Sequence, residues 1–191
     1  MKRRSIIWLI FFTIACFASS SCQTVKYGHP GTKVEKEIVG KLYEKNGVKF
    51  SYPKDWQIVE DKISENETIL ITITDLPFCV VTIKIFSSEI LIDLRKEAEG
   101  VDKKLRTKMS VEKAFEDRVS DISRKFQGRN QEGVRLKSSF SNDVSTIPDT
   151  TDFFLIRSEK SNALIMINSD DADWKTADKE FQFILDSLKF E

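Results

Sequence analysis

Asn46-Gly47 lies between two short runs, Leu42 to Lys45 and Val48 to Tyr52. Both residues tolerate positive φ, which a two-residue hairpin turn demands, so this dipeptide predicts a tight β-hairpin. After the turn Val48, Phe50 and Tyr52 alternate with Lys49 and Ser51, giving the second strand one apolar face and one solvated face. Pro53 withdraws a backbone donor and ends that strand, and Asp55 is placed to cap the turn that returns Trp56 to the core. A chain that opens this way is committed to a sheet.

The following residues extend the same pattern. A short strand is expected at Gln57 to Val59, then a polar turn at Ser64 to Glu67. From Thr68 to Asp75, Ile69, Ile71 and Ile73 fall on one face and Thr72 and Thr74 on the other; Leu76-Pro77 ends the run. Cys79 to Phe86 is its expected antiparallel partner, with Val81, Ile83 and Ile85 turned to the same side. Between Ser88 and Gly128 the period changes. Ser110 is a fair N-cap, Val111, Phe115, Val119, Ile122 and Phe126 recur at helical spacing, and Gly128 suits a left-handed C-cap, so an amphipathic helix is expected there. A shorter helix is expected from Ser88 to Glu99, ended by Gly100.

Strands return at Val134 to Ser141, Phe153 to Glu159 and Ala163 to Asn168, the last two joined through Lys160-Ser161-Asn162. Ser141 to Thr151, with Pro148, reads as an exposed loop. Asn168-Ser169-Asp170-Asp171-Ala172-Asp173 is not an alternating calcium loop, because Ala172 breaks one frame, Lys175 the other, and no central glycine is present. It reads as the N-terminal cap of a closing helix, Trp174 to Leu188, whose stripe is Trp174, Ala177, Phe181, Ile184, Leu185 and Leu188.

Composition bounds the function. With 40% hydrophobic and 31% charged residues the chain has the profile of a globular domain. Its 30 basic and 30 acidic residues balance, and loss of Lys2, Arg3 and Arg4 with a leader moves the balance from 0 to −3. No basic face able to displace phosphate counterions is implied, so nucleic-acid binding is not expected. Lys103, Lys104, Arg106 and Lys108, and Arg124, Lys125 and Arg129, are interspersed with Glu97, Glu99, Asp102, Glu112, Glu116 and Asp121, as on a solvated helix face.

Met1 to Cys22 combines Lys2-Arg3-Arg4, the apolar run Ile6 to Ala18, and Ser19-Ser20-Ser21-Cys22, the three parts of an export signal. Small residues leading to a cysteine and a polar tail resemble a bacterial lipoprotein signal, although Ser19 stands where leucine is usual. The resemblance implies lipidation of Cys22, with Cys16 the competing position and ordinary signal-peptidase cleavage after Ser20 or Ser21, or an uncleaved anchor, the alternatives; lipidation anchors the chain to the membrane through acyl chains, each buried methylene contributing about 0.8 kcal/mol. The division is then residues 1–21 as signal peptide, 22–40 as lipidated N-terminus and tether, and 41–191 as the folded domain. Gly28, Pro30 and Gly31 lie in the tether, as does His29, the one histidine, which a flexible segment cannot hold as a general base. Removal of 21 of the 191 residues leaves 170, enough to bury roughly 70% of the unfolded chain's surface without metals or disulfides. Cys79 has no thiol partner in such a mature chain and reads as a small buried hydrophobe.

The corner VKFSYPKDW, the β-rich middle, the late hairpin and the closing FQFILDSLKFE resemble the PsbP-like family and its bacterial lipoprotein relatives. This resemblance covers about Leu42 to Glu191. It implies an α+β fold, an antiparallel β-sheet flanked by helices on both faces in an α-β-α sandwich, and non-enzymatic accessory or docking roles. The family's ion-related histidines have no counterpart here, since His29 precedes the domain.

No Gly-x-Ser-x-Gly, His-Glu-x-x-His or Gly-rich phosphate loop is present, so no catalytic, cofactor-binding or metal-ligating residue is assigned. The expectation is a membrane-anchored lipoprotein of the cell envelope, on the periplasmic face or outer membrane, acting as a non-catalytic interaction module with an envelope protein partner. The alternative is a carrier of a small apolar or envelope-derived ligand, suggested by 14 phenylalanines. A hydrolase built on paired carboxylates is the third reading.

Overall fold

The computed structural model describes residues 38–64, 68–75, 79–108, 118–141 and 146–190. The opening hairpin pairs β1 (Gly40–Lys45) with β2 (Val48–Pro53), Lys45 facing Val48 across the turn. Asn46 and Gly47 take φ of +53° and +75°, the left-handed pair that the dipeptide predicts. The Trp56 N–H closes the following corner on the Pro53 carbonyl at 3.1 Å, and the indole is buried.

A meander of β3 (Gln57–Ile63), β4 (Ile69–Asp75) and β5 (Cys79–Ser87) follows, then α1 (Leu94–Lys108). A second meander comprises β6 (Val119–Phe126), β7 (Arg129–Ser141), β8 (Thr146–Arg157) and β9 (Ser161–Asp170). The chain closes with α2 (Trp174–Ser187) and β10 (Lys189–Phe190). Antiparallel pairing of β5 with β9 fuses the two meanders into a seven-stranded sheet, β3-β4-β5-β9-β8-β7-β6; β10 joins the opening hairpin as β1-β2-β10.

Strand alternation splits the core. On one face Ile71, Ile73, Val81, Ile83, Phe154, Ile165 and Ile167 meet α2 through Ala177, Phe181, Ile184 and Leu185, with Tyr43, Val48 and Phe50 of the small sheet in the same cluster. On the other, Val134, Leu136 and Phe153 receive Ala98 of α1, with Leu94 and Val101 alongside. The helices therefore lie on opposite faces of an antiparallel sheet, the α+β sandwich expected. Gly133 in β7 has a packing reason to lack a side chain: a Cβ there would sit 2.5 Å from the Phe154 ring and 2.6 Å from the Phe153 carbonyl.

Three local expectations are corrected. Val119, Ile122 and Phe126 belong to strand β6, not to a helix; Val119 packs toward the α1 face, while Ile122 and Phe126 pack toward α2. Gly128, at φ +78°, forms with Gln127 (φ +47°) the β6–β7 turn, so the left-handed conformation inferred for a helix cap serves a hairpin. Ser110, Val111 and Phe115 lie outside the described residues. The helix on this side lies earlier and runs through Gly100, which costs only about 0.5–1 kcal/mol in a helix interior; on either side of it Ala98 is buried in the α1 cluster and Asp102 pairs with Arg118. Asp93 Oδ1 accepts the N–H groups of Arg95 (3.0 Å) and Lys96 (3.3 Å) at its start. Finally, 146–151 is not an exposed loop but the first half of β8, with Asp149, Thr150 and Thr151 buried. Their polar side chains are satisfied by Ser138 of β7, Asn168 of β9 and Asp171 of the turn after β9, which removes the penalty that polarity alone would predict.

Candidate functional site

Cys22, Cys16 and His29 lie outside the described residues. Cys79 opens β5 at 4% exposure, its Sγ 3.3 Å from Ser169 Oγ. Burial pushes its thiol up, away from the nucleophilic thiolate, in keeping with the buried hydrophobe expected. The acidic run before α2 acts in turns and strand ends: Asp170 Oδ1 accepts the Asp173 N–H at 2.8 Å, and Asp171 Oδ1 accepts the Thr150 hydroxyl at 2.6 Å. Asp173 makes no side-chain cap bond, so Asp170 organises the helix entry instead. Among the described residues no group of histidine, cysteine, aspartate or glutamate has metal-holding geometry.

The polar groups inside the fold concentrate where β7, β8 and β9 run side by side. Asp152 is fully buried and accepts a bidentate pair of bonds from Arg135, 2.7 Å from Nε and 2.8 Å from Nη2. Those bonds raise the Arg135 guanidinium further above its ordinary value, and the group also lies over the Trp174 ring at 4.8 Å from its centroid. Beside it Arg124 pairs with Asp178 of α2. Arg124, Arg135, Asp152 and Asp178, with Ser123 and Gln182, line a cleft of about 400 Å³ between β6–β8 and α2. Each arginine there already faces its own carboxylate.

Three residues earlier on β8 the side chain turns to the other face. Asp149 points to the α1 side, where its Oδ2 accepts bonds from Asn168 Nδ2 (2.7 Å) and the Ser138 hydroxyl (3.2 Å). Burial, assisted by Asp171 and Asp170, raises its carboxyl to about 6 despite those donors. Farther along that face, burial opposes ionisation of Asp102, but hydrogen bonds from Arg106 and Arg118 outweigh it and hold the carboxyl below the usual range.

The Asp149 shift carries a stability consequence. Between about pH 4 and 6 the folded chain retains a proton that the unfolded chain, with an ordinary value of 3.8, has released. Its contribution to stability is therefore greatest at low pH and is lost as pH rises through 6. Asp149→Asn, which keeps an acceptor for Asn168 and removes the charge, is expected to stabilise the fold by roughly 1–3 kcal/mol at pH 7.5 and to have little effect at pH 4. Urea unfolding of both proteins at the two pH values checks this; a destabilised variant at pH 7.5 contradicts it.

A second cleft, of about 550 Å³, opens at the sheet end where the β6–β7 turn, the end of β8 and the C-terminal strand converge. Its apolar lining comes from Phe126, Leu155, Ile156, Leu188 and Phe190, and its cations are Arg129, Arg157 and Lys189. Gln127 closes one side by donating from Nε2 to the Leu188 carbonyl at 2.5 Å. Sequence reasoning missed both clefts because their residues come from segments far apart in the chain. The only local trace was Gln127-Gly128 as a turn, which helical spacing concealed.

No protein-family model matches the chain, and no curated protein matches it. Solved structures similar to it include that of a protein from Bacteroides thetaiotaomicron VPI-5482, 18% identical, with a TM-score of 0.45 over 80% of this chain; the chain spans 48% of that protein's length. LpqN, described as involved in cell envelope biogenesis of Mycobacterium tuberculosis, is 15% identical over 90% of this chain and 91% of its own, with a TM-score of 0.41. The cyanobacterial PsbP of Synechocystis sp. PCC 6803 is 14% identical over 86% of this chain and 98% of its own, with a TM-score of 0.47.

Proposed function

We propose that the protein is a lipid-anchored accessory module of the bacterial cell envelope, held to the membrane by acylated Cys22 and docking on an envelope protein rather than catalysing a reaction. The observation that carries this reading is the order Lys2-Arg3-Arg4, Ile6 to Ala18, Ser19-Ser20-Ser21-Cys22, which unites a charged start, a short apolar run and a cysteine preceded by small residues. The interior chemistry supports it. Asp102 and Asp152 are each neutralised by arginine, and the Cys79 thiol is sealed in the core. Among the described residues no helix is long and apolar enough to cross a membrane.

Metabolic labelling with a palmitate analogue is expected to mark the wild-type chain and Cys16→Ala but not Cys22→Ala. Crosslinking in the native envelope is expected to capture one stoichiometric protein partner with the wild type and to lose it with Cys22→Ala. Equal labelling of Cys22→Ala would remove the anchor from this proposal, and capture of no partner would remove the docking role.

A further inference from the structure

The two clefts differ in how their cations are used. In the cleft beneath α2, Arg124 and Arg135 are matched one for one by Asp178 and Asp152. In the sheet-end cleft, none of the lining residues is acidic, and among the described residues neither Arg129, Arg157 nor Lys189 forms an ion pair. All three are exposed, so their charges cost little desolvation and remain available. Three like charges around one concavity repel one another and favour an anion there by focusing of the field.

The floor has the opposite character. Phe126, Ile156 and Phe190 are only partly buried against the main core, with fully buried Leu188 packed in that core behind them. The volume, about 550 Å³, falls in the ordinary range of small-molecule sites, roughly 300–1,000 Å³. A small inorganic anion would use the cations and leave the apolar floor wet. A neutral hydrocarbon would do the reverse. A flat bilayer surface would touch the rim without filling the concavity.

We infer that the sheet-end cleft binds a single-chain anionic amphiphile, its carboxylate or phosphate head held by Arg129, Arg157 and Lys189 and its chain lying on Phe126, Ile156 and Phe190. The ligand is thereby assigned by chemistry: one negative head and one acyl or alkyl chain. This site lies at the end of the sheet, and its assignment does not rest on the anchor or the docking partner proposed above.

Isothermal titration of the full chain with dodecyl phosphate and with dodecanoate, each below its micellar concentration, tests the assignment. The expected result is saturable one-to-one binding of at least one of them, weakened tenfold or more in Arg129→Gln/Arg157→Gln, with dodecanol and inorganic phosphate each at least tenfold weaker than the amphiphile. Arg129 and Arg157 are exposed and free of ion pairs among the described residues, so their exchange for glutamine leaves the packing intact. Which head binds better distinguishes a fatty-acid from a phosphate ester ligand within the same assignment. The assignment is overturned by absence of binding to both amphiphiles, by equal affinity in the double variant, or by dodecanol or inorganic phosphate binding as tightly as the amphiphile.

Discussion

Phe181→Ala is expected to lower the unfolding free energy by about 3–5 kcal/mol, the range for truncating a fully buried phenylalanine. The ring is 0% exposed and stands edge-on to Trp56 at 5.7 Å with an interplanar angle of 85°. Trp174 adds a tilted contact at 5.6 Å on the same helix. Phe181 therefore joins three parts of the molecule: the closing helix, the corner after the opening hairpin, and the α2 face of the large sheet. Removing it leaves a cavity that the rigid strands around it cannot close. Tryptophan fluorescence during denaturant unfolding provides the measurement. A loss below 1 kcal/mol would show that α2 repacks freely. A double-mutant cycle with Trp56→Ala should return a coupling of about 0.5–1.5 kcal/mol for the aromatic pair.

The second large effect concerns the buried ion pair. Arg135→Met leaves Asp152, 0% exposed, without the cation that holds both its oxygens, and is expected to cost about 3–5 kcal/mol. Most of that cost is the stranded carboxylate rather than the worth of the pair. The double variant Arg135→Met/Asp152→Leu should accordingly recover most of the loss, since apolar replacement of a buried pair is often near neutral. Arg135→Lys keeps a charge but forfeits the fork and the stacking over Trp174, and should fall between the two. Equilibrium unfolding of the three variants orders them. A double variant as unstable as Arg135→Met would mean that the pair is needed to hold β7 and β8 against α2.

The pattern of these costs explains how the domain is built. The α2 face is a continuous apolar core that the small sheet and α2 close together. The α1 face is divided between two smaller apolar clusters and the buried Asp102–Arg118 pair, which ties the helix to the start of β6. Arg118 completes that tie with a bond from Nη1 to the Lys137 carbonyl at 3.2 Å, while Lys137 N–H returns one to the Arg118 carbonyl at 2.9 Å. Mutational sensitivity should thus be apolar in origin under α2 and partly ionic under α1.

By itself the sequence determined those features whose physics is local. Asn46-Gly47 makes a hairpin because two adjacent residues accept positive φ. Alternation from Ile69 to Ile73 and from Val81 to Ile85 declares one buried face wherever the partner strand lies. The α2 stripe is likewise readable from its spacing, and Cys79 from its apolar surroundings. Tertiary structure alone decided the rest. Val119, Ile122 and Phe126 have spacings of 3 and 4 that suit a helix, yet they form a strand because β7 supplies a full register of partners from Arg129 to Leu136 and strand bonds depend on that distant segment. Asp149, Thr150 and Thr151 are polar in sequence but buried in fact, since Ser138 of β7, Asn168 of β9 and Asp171 of the turn after β9 arrive to satisfy them. The sheet-end cleft is a further case: Arg129, Arg157 and Lys189 are separate surface charges along the chain and become one site only where two turns and the C-terminal strand meet.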